Sequence, residues 1–187
     1  DRYEEGWDSA GDPEELHRRF AGGCAAVQTL LGKIDTWRMW VLCDREPIRD
    51  WSAGRATLLG DAAHPMLQYL AQGACMAMED AVCLARHLAP DAASGTMADP
   101  ARAFLAYQHE RYLRTTRVQL MARVYGEVYH AQDAVADLRN VVLKARTVEQ
   151  GYQSLAWLYD PIVPPAPHDA SASVPDSARA SRPLAPS

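Results

Sequence analysis

The sequence predicts a mostly helical chain with a few short strands, and three observations carry that expectation. A short apolar run at residues 56–59 ends in Gly60-Asp61, and after a loop a small-residue helix begins at Gly73, a strand–loop–helix order. Residues 101–159 then read as three successive helices. Only two segments, 37–43 and 56–60, are apolar, short and bounded by breakers in the manner of strands.

Taken in order, Asp12-Pro13-Glu14-Glu15 supplies an N-cap, a proline at the first helical position and acidic residues in the first turn. The helix it opens is expected to reach about Leu31, with Gly32 as its stop. Residues 37–43 are aromatic and apolar, which suits a strand, and Asp44-Arg45-Glu46-Pro47 breaks it. The run 56–60 shows no alternation and is expected to be a strand buried on both faces. In the helix from Gly73 to Leu88 the strongly polar positions are Glu79, Asp80, Arg86 and His87. Seven residues is close to two turns, so the four share one narrow stripe. The remaining Ala, Cys, Met, Val and Leu suggest a mostly buried helix, whether facing a cofactor or simply in the core. After a Gly/Ala/Ser/Pro linker at 90–100, helices are expected at 101–130, 133–145 and 152–159. From Pro161 the chain has almost no large apolar residue, so 161–187 is expected to be a disordered tail and 1–160 the ordered part.

With 187 residues, 48% hydrophobic and 23% charged, the chain suits one ordinary soluble domain. A net charge of −5 argues against a nucleic-acid groove or an anionic membrane surface as partner. Arginines are frequent from Glu110 to Arg123, but Glu110 and Glu127 flank the run and no aromatic-basic interleaving develops, so it reads as a solvated, salt-bridged helix. Cys24, Cys43, Cys75 and Cys83 form no C-x-x-C pair and read as small hydrophobes in a reducing, cytoplasmic setting. His64 has no second His or Cys at ligand spacing, so it is expected to shape its loop rather than bind metal. No nucleophile elbow is present, which leaves covalent hydrolase chemistry without support.

The strand end and helix start carry the functional reading. Asp61 can accept hydrogen bonds from hydroxyls, while the first-turn N–H groups around Gly73, Ala74 and Cys75 favour negative charge. Together they suit a ligand bearing both hydroxyls and anionic or electron-rich oxygens.

Gly54-Arg55, Leu58, GDAAH at 60–64, Gln72-Gly73 and Glu79-Asp80-Ala81 together resemble the second flavin-binding fingerprint of single-component FAD-dependent aromatic hydroxylases, the salicylate hydroxylase-like group. The segment LQYLAQGACMAMEDA is similar to that of the 3-hydroxybenzoate 6-hydroxylases within that family. Residues 37–51, the pattern Tyr107, Arg111, Arg114, Thr115, Gln119, and the aromatic end 155–160 extend the resemblance, with no chemistry attached to them.

The resemblance implies the α/β fold of FAD-binding, Rossmann-like monooxygenases, of which this chain would be the mostly helical C-terminal part. It implies FAD as cofactor, with Asp61 on the ribityl chain and Gly60, Gln72, Gly73, Ala74 and Cys75 around it. NADH or NADPH would donate electrons, and O₂ and a small aromatic acid would be the other partners. Many relatives carry proline at the position of Gln68 and glycine at that of Ala71. Gln68 is expected to orient a phenol hydroxyl or a carboxylate at the flavin's reactive edge. The reaction implied is hydroxylation of a phenolic acid, first 3-hydroxybenzoate to gentisate. A salicylate or 6-hydroxynicotinate hydroxylase is the alternative, and a non-catalytic helical interaction fragment is a third. No Gly-x-Gly occurs for the FAD pyrophosphate, so the chain is expected to be a fragment without activity of its own.

Overall fold

The computed structural model describes residues 9–91 and 93–160. The chain divides into two compact units between Lys144 and Ala145.

In the first unit, β1 (Ser9–Ala10) pairs antiparallel with β2 (Arg38–Met39), Ser9 opposite Met39. Between them lie α1 (Pro13–Arg19) and α2 (Ala25–Leu31). Asp12 caps α1 through the Glu14 N–H at 2.9 Å, with Pro13 opening the helix as expected. The single helix expected from Pro13 to Leu31 is instead two. Ala21-Gly22-Gly23 interrupts it, and the Gly23 N–H turns back to the Phe20 carbonyl at 2.8 Å. Two adjacent glycines lower helix propensity by roughly 2 kcal/mol relative to alanine, enough to end a helix with no packed face to hold it.

The strands are shorter than expected. Of residues 37–43 only Arg38 and Met39 are paired, and of 56–60 only Ala56 and Thr57. β3 (Ser52–Ala53) and β4 (Ala56–Thr57) form a hairpin around Gly54, whose φ of +57° suits glycine. The second run is therefore not buried on both faces: Ala56 and Leu58 are exposed, because β3 is its one neighbour among the described residues.

Two 3₁₀ turns follow, Gly60–Ala62 and Gln68–Leu70, and then α3 (Gly73–Leu88), with the bounds expected. α3 is less buried than its composition suggests. Met76, Asp80 and Cys83 are buried, whereas Met78 and Val82 are 63% and 72% exposed. The Glu79–Asp80 end of the polar stripe turns inward, since both find cationic partners on the next helix, whereas Arg86 and the apolar Met78 and Val82 face outward.

That next helix, α4 (Pro100–His130), begins at the N-cap Asp99 and is the spine of the unit. Gln108 accepts from the Trp51 and Ser52 N–H groups at 2.8 and 2.9 Å, and the Tyr107 hydroxyl donates to the Leu58 carbonyl at 3.3 Å. Trp51, Ala63, Cys83 and Tyr107 form a small core with Ile48, Leu84 and Tyr112 packed on it. At the far end Gly126 lets the Tyr69 ring lie on the helix; a Cβ there would stand 2.6 Å from Tyr69 Cε2. α5 (Asp133–Ala145) matches its expected bounds and buries none of its side chains.

The second unit holds α6 (Val148–Tyr159), which starts four residues before the helix expected at 152–159. Thr147 and Gln150 form a capping box, a T-x-x-Q signal in the sequence that places the start. Residues 161–187, expected to be a disordered tail, lie outside the described residues. Among the described residues no helix is long and apolar enough to cross a membrane.

Two backbone positions with left-handed φ give opposite outcomes on substitution. Gly60 has φ +59°, and an added Cβ would stand 3.2 Å from the Ala77 Cβ, so Gly60→Ala is expected to lose about 1–2 kcal/mol or more. Ala71, with φ +53°, occupies such a conformation without being glycine. Ala71→Gly is expected to gain about 0.5–1 kcal/mol net of unfolded-state entropy. Urea unfolding of the two variants beside the parent chain checks both signs.

Candidate functional site

The site is built on a buried carboxylate. Asp80 is fully buried on α3, and both its oxygens are occupied. Oδ2 accepts from the Gly60 N–H at 3.1 Å and from His64 Nε2 at 2.6 Å, and Oδ1 accepts from Arg111 Nε at 2.7 Å. Arg111, itself 3% exposed, also reaches Glu79 at 2.7 Å, and Arg114 grips both Glu79 oxygens at 3.1 and 2.8 Å. Gly60, His64, α3 and α4 thus meet at one point.

Burial alone would raise the Asp80 pKa, but the hydrogen bonds from His64 and Arg111 outweigh it and hold the carboxyl below its ordinary value. The same competition, won by Arg114 and Arg111, lowers Glu79. Burial and the Asp80 charge push the Tyr107 hydroxyl in the opposite direction, so it stays protonated. Burial and Glu110 push the Cys83 thiol up to about 11.

With Gly60 tied down, Asp61 projects from the turn into solvent beside the start of α3. A Cβ built on Gly73 would lie 3.8 Å from Asp61 Oδ1. The carboxylate and the helix start are neighbours, yet neither is spent on the other. The Gln72 side chain does not cap α3, and Asp61 has no hydrogen bond or ion pair among the described residues. The first-turn N–H groups of Gly73, Ala74 and Cys75 lack intrahelical acceptors by helix geometry; the first bond closes from Met76 N–H to Gln72 O at 2.9 Å. Ala74 is exposed, Gly73 and Cys75 are half-buried, and Gln72 is buried. A hydroxyl acceptor therefore stands beside a cluster of free N–H donors, a donor and acceptor set that fits a polyol chain carrying an electron-rich group.

Gln68 opens the second turn with its side chain exposed. Next to it the Tyr69 ring is held edge-on by Tyr129 and His130, with centroids 6.1 and 5.4 Å away. Gln119, 1% exposed, donates to the Pro65 carbonyl at 3.0 Å, and Arg45 donates to the Ala62 carbonyl. The loop from Asp61 to Ala71 is thereby pinned along its length.

The structure corrects two expectations about charged and thiol residues. The run 110–123 is salt-bridged but only partly solvated: Arg111 is buried, and Arg114 and Glu110 are half-buried. Cys24 and Cys43 are exposed rather than packed as small hydrophobes. Tyr107, Arg111 and Gln119, to which the sequence attached no chemistry, carry the site's support, with buried Thr115 on the same face of α4. Their i, i+4 spacing opposite Glu79 and Asp80 was the available signal.

The family described as FAD binding domain matches residues 1–122. The 3-hydroxybenzoate 6-hydroxylase of Polaromonas naphthalenivorans is 45% identical over 159 residues, 84% of this chain and 38% of the relative. A salicylate hydroxylase solved as a substrate complex superposes with a TM-score of 0.66 at 30% identity, covering 85% of this chain and 38% of that one. Klebsiella pneumoniae HpxO complexed with FAD and uric acid superposes at 0.65 and 31% identity, covering 76% of this chain and 36% of that one. The chain thus spans less than two fifths of the length of each.

Asp80→Ala strips buried Arg111 of one of its two carboxylate partners and leaves His64 and the Gly60 N–H without their acceptor; it is expected to cost about 3–5 kcal/mol, measured by denaturant unfolding. Because Asp80 and Glu79 titrate lower folded than unfolded, their contribution is complete above the ordinary carboxyl values of 3.8 and 4.5 and is lost as pH falls below them. Thermal melts from pH 7 to pH 3 are expected to stay level to about pH 5 and then fall. A Tm that rises on acidification would contradict the assignment.

Proposed function

This chain belongs to the FAD-binding domain family, and from that premise we propose that it forms one wall of the flavin site of an aromatic-ring hydroxylase. The observation that carries the reading is the unspent Asp61 carboxylate beside the uncapped start of α3. Asp61 accepts hydrogen bonds from the ribityl hydroxyls, and Gly60 holds it there through the Asp80 clamp. The N–H groups of Gly73, Ala74 and Cys75, beside the buried Gln72, would hold the isoalloxazine end of FAD and favour negative charge there. When bound, FAD supplies the electron and oxygen transfer chemistry, and the protein supplies orientation and electrostatics.

The substrate we propose is 3-hydroxybenzoate, hydroxylated para to its phenol to give gentisate, with NADH or NADPH as electron donor and O₂ as oxidant. The resemblance of residues 67–81 to the 3-hydroxybenzoate 6-hydroxylases supports that choice. Gln68 offers an amide with donor and acceptor to the phenol or the carboxylate, and Tyr69, seated on Gly126, fixes where that amide stands. The 187 residues hold one wall only, so by themselves they are expected to bind FAD weakly and not to turn over.

The test uses the protein encoded by the complete reading frame containing these residues. Asp61→Ala is expected to weaken FAD binding by roughly 1.5–3 kcal/mol, the worth of a charge-assisted hydrogen bond. Unchanged flavin occupancy and affinity would remove Asp61 from the site. Gln68→Ala is expected to keep its flavin but lose hydroxylation on the order of a hundredfold, releasing hydrogen peroxide in place of product. Gentisate formed per NAD(P)H consumed measures this, and parental coupling in the variant would make Gln68 an ordinary loop residue.

A further inference from the structure

Away from the flavin wall, the C-terminal half of α3 and the facing turn of α4 bring together a thiol, an imidazole and a carboxylate. Cys83 and His87 are four residues apart and so share one face of α3. Glu110 meets them from α4, its Oε2 3.0 Å from His87 Nε2. One donor atom from each of the three lies within 4.8 Å of the others. Cys83 is 5% exposed, while the His87 and Glu110 side chains are 26% and 19% exposed, so the group is sheltered beneath and reachable from solvent above. No second His or Cys stands at ligand spacing from His64, which hides this group in the sequence. The C-x₃-H pair and its third member lie on two helices.

We propose that Cys83, His87 and Glu110 form a three-ligand site for a divalent transition metal of the zinc class, stapling α3 to α4. The donor set selects the ion. Sulfur and imidazole nitrogen suit zinc and its neighbours, whereas magnesium and calcium take oxygen ligands. Zinc bonds of about 2.0–2.3 Å put tetrahedral donors roughly 3.3–3.8 Å apart, so the observed spacing needs only a small closure. A thiolate and a carboxylate neutralise a 2+ ion, the thiol proton leaving to solvent, and water completes the fourth position.

The place already attracts a cation. Arg86 donates to Glu110 and approaches Cys83 Sγ at 3.6 Å. Its side chain is 43% exposed, so it can swing into solvent and yield the carboxylate to a metal.

The probe is Co²⁺, titrated anaerobically into the reduced 187-residue chain and then displaced with Zn²⁺. One saturable equivalent is expected, with a thiolate-to-cobalt charge-transfer band, tetrahedral visible bands and a raised Tm. Cys83→Ser is expected to abolish the charge-transfer band, and His87→Gln to weaken affinity by about tenfold or more. Arg86→Ala, which removes the competitor, is expected to tighten it up to about fivefold. A triple Cys24→Ser, Cys43→Ser, Cys75→Ser variant is expected to keep the full signal. No saturable band, a band surviving Cys83→Ser, or one lost in the triple variant would overturn the site. If circular dichroism shows Cys83→Ser unfolded, His87→Gln decides, and parental Co²⁺ affinity in it overturns the proposal.

Discussion

The Gly60–Asp61 turn stands where it does because of Asp80. Removing a carboxylate and a guanidinium from water costs several kcal/mol per ion, so the Asp80–Arg111 pair is not mainly a source of net stability. It persists because three donors converge on it: the Gly60 N–H, His64 and Arg111. What it confers is position. One carboxylate on α3 fixes the strand end, the following loop and α4 at once, and a hydrophobic replacement of equal volume would direct none of them.

Position then becomes chemistry through a division of labour between adjacent acids. Asp80 is buried and saturated, so Asp61, on the turn it holds, is left with its lone pairs unclaimed beside an uncapped helix. A capping residue at Gln72 would satisfy the N–H groups of α3 and remove the donor half of the site. Gly60 and Gly126 play the matching steric parts. The first allows the left-handed turn to sit against Ala77, and the second lets Tyr69 lie on α4 and hold the Gln68 loop.

The long helices and the start of α3 at Gly73 after the Gly60-Asp61 turn were legible in the sequence, because their signals are local. α3 and α4 are bounded by Gly73 and by Asp99-Pro100, and α5 ends as its pattern ends. What the sequence concealed was long-range. Residues 56–60 read as a doubly buried strand from composition, yet pairing depends on partners elsewhere in the fold, and β3 covers one edge only. The polar stripe on α3 was visible, but the inward turn of Glu79 and Asp80 was set by Arg111 and Arg114, thirty residues later. The break at Gly22-Gly23 and the capping box at Thr147 are local backbone signals that the apolar pattern does not carry.

The most direct test of this account is the flavin affinity of Asp80→Asn in the protein of the complete reading frame, measured where circular dichroism shows the variant folded. Asp80 reaches the proposed flavin site only through the Gly60 N–H, and through that bond it anchors Asp61. FAD binding is therefore predicted to weaken by an amount comparable to Asp61→Ala, with little further loss in the double variant. Parental affinity in a folded Asp80→Asn protein, or losses that simply add in the double variant, would contradict it.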